Sequence, residues 1–370
     1  MSARFLTAVS GRAFNMRDRF GREIDYMRIS VIDSCNLNCY YCNPCDNNEH
    51  CHALNILSVK EVLCIVRAAT RLGIKHFRLT GGEPLLHPQL DEMVLQIKKI
   101  PGVSSVSLTT NAVLLVQHAK WLKEAGIDSI NVSLDTIDAS EYERITKKPL
   151  LEEVKNGINA AIECGIRVKI NVVLTPQTDV VALTRYVAKK GTDIRFIEMM
   201  PVGEGHTNGV EPYKKVIGTL SKLYGEPCRI NTEKTKEINS GNDKRKIPDN
   251  GPAEYYIFPE LGIRVGLIQA IHGKFCDTCN RIRVTADGRL MPCLGSSVTM
   301  DLVPDSWDFA DDVEKDFAIV RALRAAIKAK PRCHNFNDNA VTYTKTTETK
   351  TTEIEAAEVN AARNMSRIGG

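Results

Sequence analysis

The chain has 370 residues, 43% hydrophobic and 25% charged, with a formal net charge of +4. That length holds one large domain or two smaller ones, and so mild a charge excludes bulk nucleic-acid binding, so any anionic ligand must meet a local basic cluster. No apolar run approaches the ~20 residues of a membrane span, the N-terminus does not read as a secretory signal, and twelve cysteines without such a signal exclude a secreted disulfide scaffold; a cytoplasmic protein with metal-binding cysteines is expected.

Strand-like runs alternate with amphipathic helical runs in the first two thirds of the chain. Strands are expected at Tyr26–Ile32, His76–Thr80, Val103–Thr109, Ser129–Leu134, Val168–Leu174 and Ile194–Met199. Helices are expected between them at Val59–Leu72, Leu90–Ile100, Gln117–Ala125, Leu151–Cys164 and Val180–Lys190. The strands read as largely apolar, as strands buried on both faces should, and each crossover is long enough for a helix, so parallel pairing follows. Repeated right-handed crossovers give a partial barrel or an open doubly wound sheet, which the pattern alone does not separate. The alternation fades near Tyr224. Further strands are expected at Ala253–Phe258, Gly262–Ile268 and Arg281–Thr285, with a helix near Val313–Ala329. Residues 1–229 are read as one core, 230–340 as a smaller α+β unit packed on it, and the polar, low-complexity stretch after 340 as a linker in a tail ending in Gly369-Gly370.

Two cysteine arrays carry the chemistry. Cys35, Cys39 and Cys42 form a Cys-x3-Cys-x2-Cys array directly after the first strand. Three thiolates can hold an iron–sulfur cluster and leave one iron open for a small molecule, whereas a structural metal site is closed by four ligands. A zinc site completed by Cys45 or Cys51 is the bland alternative. Cys276 and Cys279 form a Cys-x2-Cys pair, and Cys293 follows; here too a zinc site is the alternative, with His272 or Cys228 as fourth ligand. Gly81-Gly82-Glu83-Pro84 ends the second strand, where glycines permit close backbone approach and a carboxylate can meet an ammonium group. Arg28, Arg78, Lys169 and Arg195 lie inside apolar strands, where a charge is expensive without a partner, so an anionic ligand is a natural one.

The first array, with Tyr41 before its third cysteine, resembles the signature of the radical S-adenosylmethionine superfamily. The stretch Phe275–Leu294 and the terminal Gly-Gly are similar to the GTP 3′,8-cyclase family within it, the molybdenum cofactor biosynthesis protein A family. The resemblance runs from Asp18 to Asn337 and resumes at Met365–Gly370. It implies a partial (β/α)6 TIM-type barrel with a smaller C-terminal domain, two [4Fe–4S] clusters on the two cysteine trios, and S-adenosylmethionine bound by Tyr41, Gly81, Gly82, Glu83, Ser133 and Met200. It implies GTP held by Arg28, Arg78, Thr109, Lys169, Arg195, Arg281, Ile282 and Arg283, with Gly369 and Gly370 taking part in the radical chemistry. It further implies an electron donor, a homodimer, and a downstream cyclic pyranopterin monophosphate synthase as pathway neighbour. The alternatives are a peptide-modifying radical enzyme and a non-catalytic zinc module. The sequence departs from the family at Ser34, where many relatives carry Arg, at His87-Pro88, where a basic pair is usual, and at Ala112, where Gly is common.

Overall fold

The computed structural model describes residues 16–42, 55–202, 209–230, 251–296, 298–302, 312–334 and 336. Six strands, β1 (Tyr26–Ser30), β2 (His76–Thr80), β3 (Ser105–Thr110), β4 (Ser129–Ser133), β5 (Val168–Val173) and β6 (Asp193–Ile197), run parallel in chain order. Their crossovers are α1 (Val59–Arg71), α2 (Leu90–Lys98), α3 (Leu115–Glu124), α4 (Ala139–Thr146) with α5 (Leu151–Glu163), and α6 (Val180–Lys189). All six expected strands and five expected helices are present, with ends shifted by a few residues. The unexpected α4 has a legible cap: the Asp138 carboxylate accepts from the Glu141 N–H at 2.8 Å. The same logic starts α1, where Ser58 and Glu61 form a capping box.

The later strands complete the wall. After α7 (Gly218–Tyr224) come β7 (Cys228–Ile230), β8 (Glu254–Ile257), β9 (Arg264–Ile268), β10 (Arg281–Val284), β11 (Arg289–Met291), β12 (Met300–Asp301) and α8 (Asp312–Ala329). The sheet order is β12-β11-β10-β1-β2-β3-β4-β5-β6-β9-β8-β7, with β10 parallel to β1 and β9 parallel to β6. Strands from the expected second unit therefore extend both edges of the first, and the expected division at 229/230 runs through β7. One cavity touches side chains from β1 to β6, β9 and β10, so these eight parallel strands curl around a common lumen.

The expectation that the strands are buried between two apolar layers is corrected by their register. Met27 and Ile29, Phe77 and Leu79, Val106 and Leu108, Ile130 and Val132, Ile170 and Val172, and Ile194 and Phe196 face outward into the hydrophobic core under the helices. The alternate positions Arg28, Arg78, Ser107, Asn131, Lys169, Asn171 and Arg195 face the lumen. Strand alternation puts every second residue on one face. The outward set drives folding, and the inward set is free to be polar.

Candidate active site: a basic lumen between two cysteine trios

At the C-terminal end of the parallel strands, four loops meet. The first cysteine loop follows β1, and the Gly-Gly-Glu-Pro loop follows β2. A Cβ on Gly81 would lie 2.5 Å from the Ile32 carbonyl oxygen, and one on Gly82 only 2.0 Å from that of Ser34. The glycines thus let this loop press against the segment entering the cysteine array, tied by Gly82 N–H to Ile32 O at 2.7 Å and Glu83 N–H to Ser34 O at 2.7 Å. Ser34 serves here through its backbone carbonyl. Glu83 is 1% exposed. Its carboxylate accepts from the Thr110 hydroxyl at 2.6 Å, the Asn111 N–H at 2.7 Å and the Leu85 N–H at 3.0 Å. Burial pushes its pKa up to about 7 against the lowering effect of those donors. The Tyr41 hydroxyl donates to Asp135 at 2.5 Å, and Asp135 also accepts from the Val173 N–H at 2.7 Å, which pins the cysteine loop to the ends of β4 and β5. Burial raises Asp135 to about 6. Ser133 is exposed and half-buried Met200 lies just beyond β6, both at this end. Burial, with a contribution from Glu83, lifts the Cys35 thiol to about 11. Burial, Cys42 and Asp135 also push Cys39 upward.

The second trio lies at the other end. Because β10 runs parallel to β1 and Tyr26 pairs with Arg281, Cys276 and Cys279 sit at the N-terminal end of the barrel. Antiparallel β11 returns Cys293 to the same end. Burial opposes ionisation of Cys279, but Arg281 and Lys330 overcome it and draw the thiol down to about 7. Lys330 is 4% exposed. Its ammonium donates to the Arg281 and Pro292 carbonyls at 2.8 and 2.9 Å, and its charge favours the Cys279 thiolate. Buried Arg22 pairs with Asp18 at 2.5 Å and donates to the Cys276 carbonyl at 2.7 Å and the Pro331 carbonyl at 2.6 Å. Lys330 and Arg22 thus staple the chain after α8 to the cysteine loop.

Between the trios lies a cavity of about 340 Å³ whose lining includes Arg28, Arg78, Asn131, Lys169, Arg195 and Arg281. Arg28 and Arg283 are paired across β1 and β10, and Arg28 and Arg78 across β1 and β2. Burial, then repulsion from Arg283, holds Arg28 well below the usual guanidinium range, with Arg78 and Arg281 adding to it. Burial and Arg281 bring Arg283 to about 10. Arg78 donates to the Tyr26 hydroxyl and to Thr109 Oγ1, the latter at 3.3 Å. Arg195 holds Asn171 Oδ1 at 2.9 Å, while its Nη2 and the Asn131 Oδ1 are buried without a hydrogen-bond partner. Such a crowd of cations calls for a polyanion. The Ile282 side chain, 1% exposed, points into the core with Met27, so it offers the cavity only its backbone.

A family model described as "Radical SAM superfamily" matches residues 29–182, and one described as "Molybdenum Cofactor Synthesis C" matches 192–336. A GTP 3′,8-cyclase of Clostridium perfringens (strain SM101 / Type A) is 35% identical over 324 residues, covering 87% of this chain and 95% of the relative. That of Pelotomaculum thermopropionicum is 36% identical over 327 residues, covering 86% and 95%. The chain belongs to the GTP 3′,8-cyclase family of the radical SAM superfamily. Among solved structures, Streptococcus suis SuiB bound to S-adenosylmethionine is similar in fold, with a TM-score of 0.54 at 15% identity, covering 81% of this chain and 65% of that one. Native anSMEcpe with bound AdoMet has a TM-score of 0.50 at 16% identity, covering 80% and 82%.

The family's cofactors are [4Fe–4S] clusters and S-adenosylmethionine, and the donor sets fit them. Among the described residues no three Cys, His, Asp or Glu side chains converge as they would on one bound ion. What each trio offers is three unbridged cysteines on neighbouring loops with N–H donors at hand. Cys35 Sγ accepts from the Leu37 N–H at 3.4 Å and lies 3.8 Å from Asn111 Nδ2, the kind of contact that tunes cluster sulfur. The fourth ligands weighed for a zinc site are placed elsewhere: His272 Nδ1 is bonded to Glu198, and exposed Cys228 lies in β7 at the far edge of the sheet. Cys45, Cys51, Gly369 and Gly370 lie outside the described residues. Of the family departures, His87 is 2% exposed and spent on local backbone, with Nε2 2.9 Å from the Leu57 carbonyl and Nδ1 accepting from the Gln89 N–H. It does not line the cavity. Sequence reasoning missed Lys330, Arg22, Asp135 and Asn131. Asp135 carried a weak signal, as a carboxylate just past a strand end, while Lys330 follows a helix among other basic residues and carried none.

Proposed function

We infer that this chain catalyses the cyclisation of GTP to (8S)-3′,8-cyclo-7,8-dihydroguanosine 5′-triphosphate, the first step of molybdenum cofactor biosynthesis. The observation that carries this reading is the cavity lined by Arg28, Arg78, Lys169, Arg195 and Arg281, inside a strand wall whose two ends carry the two three-cysteine loops. Cys35, Cys39 and Cys42 would hold the first cluster, and Cys276, Cys279 and Cys293 the second. When bound, the first cluster would supply the electron that cleaves S-adenosylmethionine to methionine and a 5′-deoxyadenosyl radical; that radical would leave as 5′-deoxyadenosine with the ribose 3′ hydrogen, C3′ would bond to C8 of guanine, and the base radical so formed would take a second electron from the electron donor and a proton at N7 to give the dihydro product.

The chain's own residues do the rest. Tyr41, Gly81, Gly82, Glu83, Ser133 and Met200 form the rim at the first trio and would orient the methionine and adenosine parts. Negative charge from Glu83 and Asp135 suits a sulfonium and an ammonium group. Arg28, Arg78, Thr109, Lys169, Arg195, Arg281 and Arg283 would hold the nucleotide, their mutual repulsion relieved by the triphosphate. The wall of eight strands excludes water from the radical path. Gly369 and Gly370 would reach the site from the tail. A low-potential electron donor, a homodimer, a cytoplasmic setting and hand-over to cyclic pyranopterin monophosphate synthase complete the proposal. Among the described residues no helix is long and apolar enough to cross a membrane.

The test is product analysis after anaerobic incubation of reconstituted protein with GTP, S-adenosylmethionine and dithionite. The cyclised triphosphate and 5′-deoxyadenosine are expected together. Intact clusters with no GTP binding at millimolar concentration would overturn the reading.

A further inference from the structure

The two trios differ in the charge that the protein sets beside them. Asp135 lies next to the first: it accepts from the Tyr41 hydroxyl at 2.5 Å, one residue from Cys42, and its charge acts on Cys39. Its other oxygen is fixed by the Val173 N–H at 2.7 Å, so the carboxylate cannot turn away. Glu83 adds a second carboxylate at that end, acting on Cys35. Lys330 lies next to the second trio, 4% exposed, its ammonium fixed by the Arg281 carbonyl two residues past Cys279 at 2.8 Å and the Pro292 carbonyl just before Cys293 at 2.9 Å. Arg281 stands beside it. Neither Asp135 nor Lys330 lines the basic cavity, so the nucleotide does not account for their placement.

A fixed negative charge disfavours adding an electron to a nearby cluster, and a fixed positive charge favours it. We propose that Asp135 and Lys330 are positioning residues that set the two clusters apart in potential, Asp135 holding the first low and Lys330 holding the second high. The inference rests on the reading that both trios carry [4Fe–4S] clusters, and it concerns how this chain assigns them different tasks. A low-potential first cluster can drive reduction of a sulfonium. A second cluster of higher potential, sitting beside the guanidinium groups, does not compete as the reductant of S-adenosylmethionine. The strongly reducing electron is then directed to the end of the barrel where the sulfonium binds.

Anaerobic EPR-monitored redox titration of the full-length, two-cluster protein tests this without turnover. Asp135→Asn keeps an acceptor for the Val173 N–H and a donor toward Tyr41 while removing the charge. Lys330→Gln keeps a donor for the carbonyls while removing the charge, and Lys330→Arg keeps the charge. At a fixed solution potential, the reduced-to-oxidised ratio of the first cluster is expected to rise about tenfold in Asp135→Asn, which is 59 mV for a one-electron couple. That of the second is expected to fall about tenfold in Lys330→Gln and to be restored in Lys330→Arg. Each change should be confined to its own cluster in the two-cluster protein, the two EPR signals being assigned from variants that retain one cluster at a time. Unshifted potentials with full iron and sulfide would overturn the tuning. Loss of iron from Asp135→Asn or Lys330→Gln would assign the residue to cluster assembly and overturn it equally. Absence of iron and sulfide from the unmodified protein would instead strike the two-cluster reading itself.

Discussion

The two ends of the barrel carry the same three-thiol motif in opposite surroundings. At the C-terminal end, Cys35 is lifted to about 11 by burial and Glu83. At the N-terminal end, Arg281 and Lys330 bring Cys279 to about 7 against its burial. The first end is built for a cationic ligand, because its nearby charges are carboxylates; the second end is built for an anionic one. A sulfonium cofactor and a nucleoside triphosphate have those charges. On the proposed reading, electrostatics would orient the two ligands before any specific contact is considered.

The comparison breaks most sharply on removal of one thiol from each trio. Cys39→Ala should abolish 5′-deoxyadenosine formation, with a loss of more than about a thousandfold expected when an essential catalytic element is deleted. Cys279→Ala should abolish the cyclised nucleotide to the same degree yet leave slow, uncoupled 5′-deoxyadenosine release. Chromatography of both products separates these outcomes. Equal loss of both products in both variants would mean that the two ends do not have distinct tasks.

Arg28 tests the basic side of the comparison. Burial and the guanidinium groups of Arg283, Arg78 and Arg281 disfavour its charge. Arg28→Met should therefore stabilise the ligand-free protein by about 1–3 kcal/mol while weakening GTP binding by roughly 30- to 100-fold, the loss of one buried charge-assisted contact. Calorimetry with and without GTP reads both quantities. Destabilisation of the free protein together with unchanged GTP binding would make Arg28 a structural residue.

How much of this was legible follows from the same division. The outward faces of the strands and the capping box at Ser58 and Glu61 follow local rules, so the strand and helix order could be read directly. The cysteine spacing and the charges at Arg28, Arg78, Lys169 and Arg195 stood out because each breaks the apolar pattern around it. The extension of the barrel wall by β9 and β10 could not be read, because it depends on pairings between segments distant in the chain, such as Tyr26 with Arg281. Lys330 was hidden for the same reason: its partners Arg281 and Pro292 lie far upstream, and no local pattern links them. Glu83 was read from its motif as a cofactor-binding residue, but its part in the fold was not legible: its carboxylate accepts from Thr110, Asn111 and Leu85, and two of these come from the next strand's end.

A smaller effect sharpens the thiol contrast. In cluster-free, reduced protein at pH 7, a thiol near 7 is about half ionised and one near 11 is about one part in ten thousand. The more basic thiolate is intrinsically the better nucleophile, by roughly a hundredfold over four pH units, which offsets part of that advantage. Cys279 should therefore react with iodoacetamide about 10- to 100-fold faster than Cys35, both being half-buried. The sign with pH follows from the depressed pKa: native-state preference for the Cys279 thiolate adds stability as pH rises from about 7 toward 9, and that contribution is lost on acidification through 7. Peptide mapping after timed alkylation checks the rates. Equal labelling would remove the electrostatic contrast between the two ends.

The smallest expected effect lies at the first trio's end, in the turn after β3. Ala112 has φ of 66°, a left-handed conformation that glycine adopts freely and alanine does not. It is one of two described non-glycine residues with positive φ, the other being Lys147. Its position is fixed on both sides: its N–H donates to Thr110 Oγ1 at 2.9 Å, and its carbonyl lies where a Cβ on Gly157 would come within 2.3 Å. Ala112→Gly relieves the backbone strain, worth about 1 kcal/mol, but gives up a fully buried methyl, about 0.8 kcal/mol, and increases unfolded-chain entropy by a further 0.5–1 kcal/mol equivalent, roughly. These terms nearly cancel, so thermal stability should change by less than about 1 kcal/mol. Because Thr110 and Asn111 in the same turn hold Glu83, an unchanged S-adenosylmethionine affinity would show that the turn keeps its shape without the methyl. A loss of affinity with unchanged stability would mean instead that the alanine stiffens the carboxylate end, a rigidity that glycine at this position does not supply.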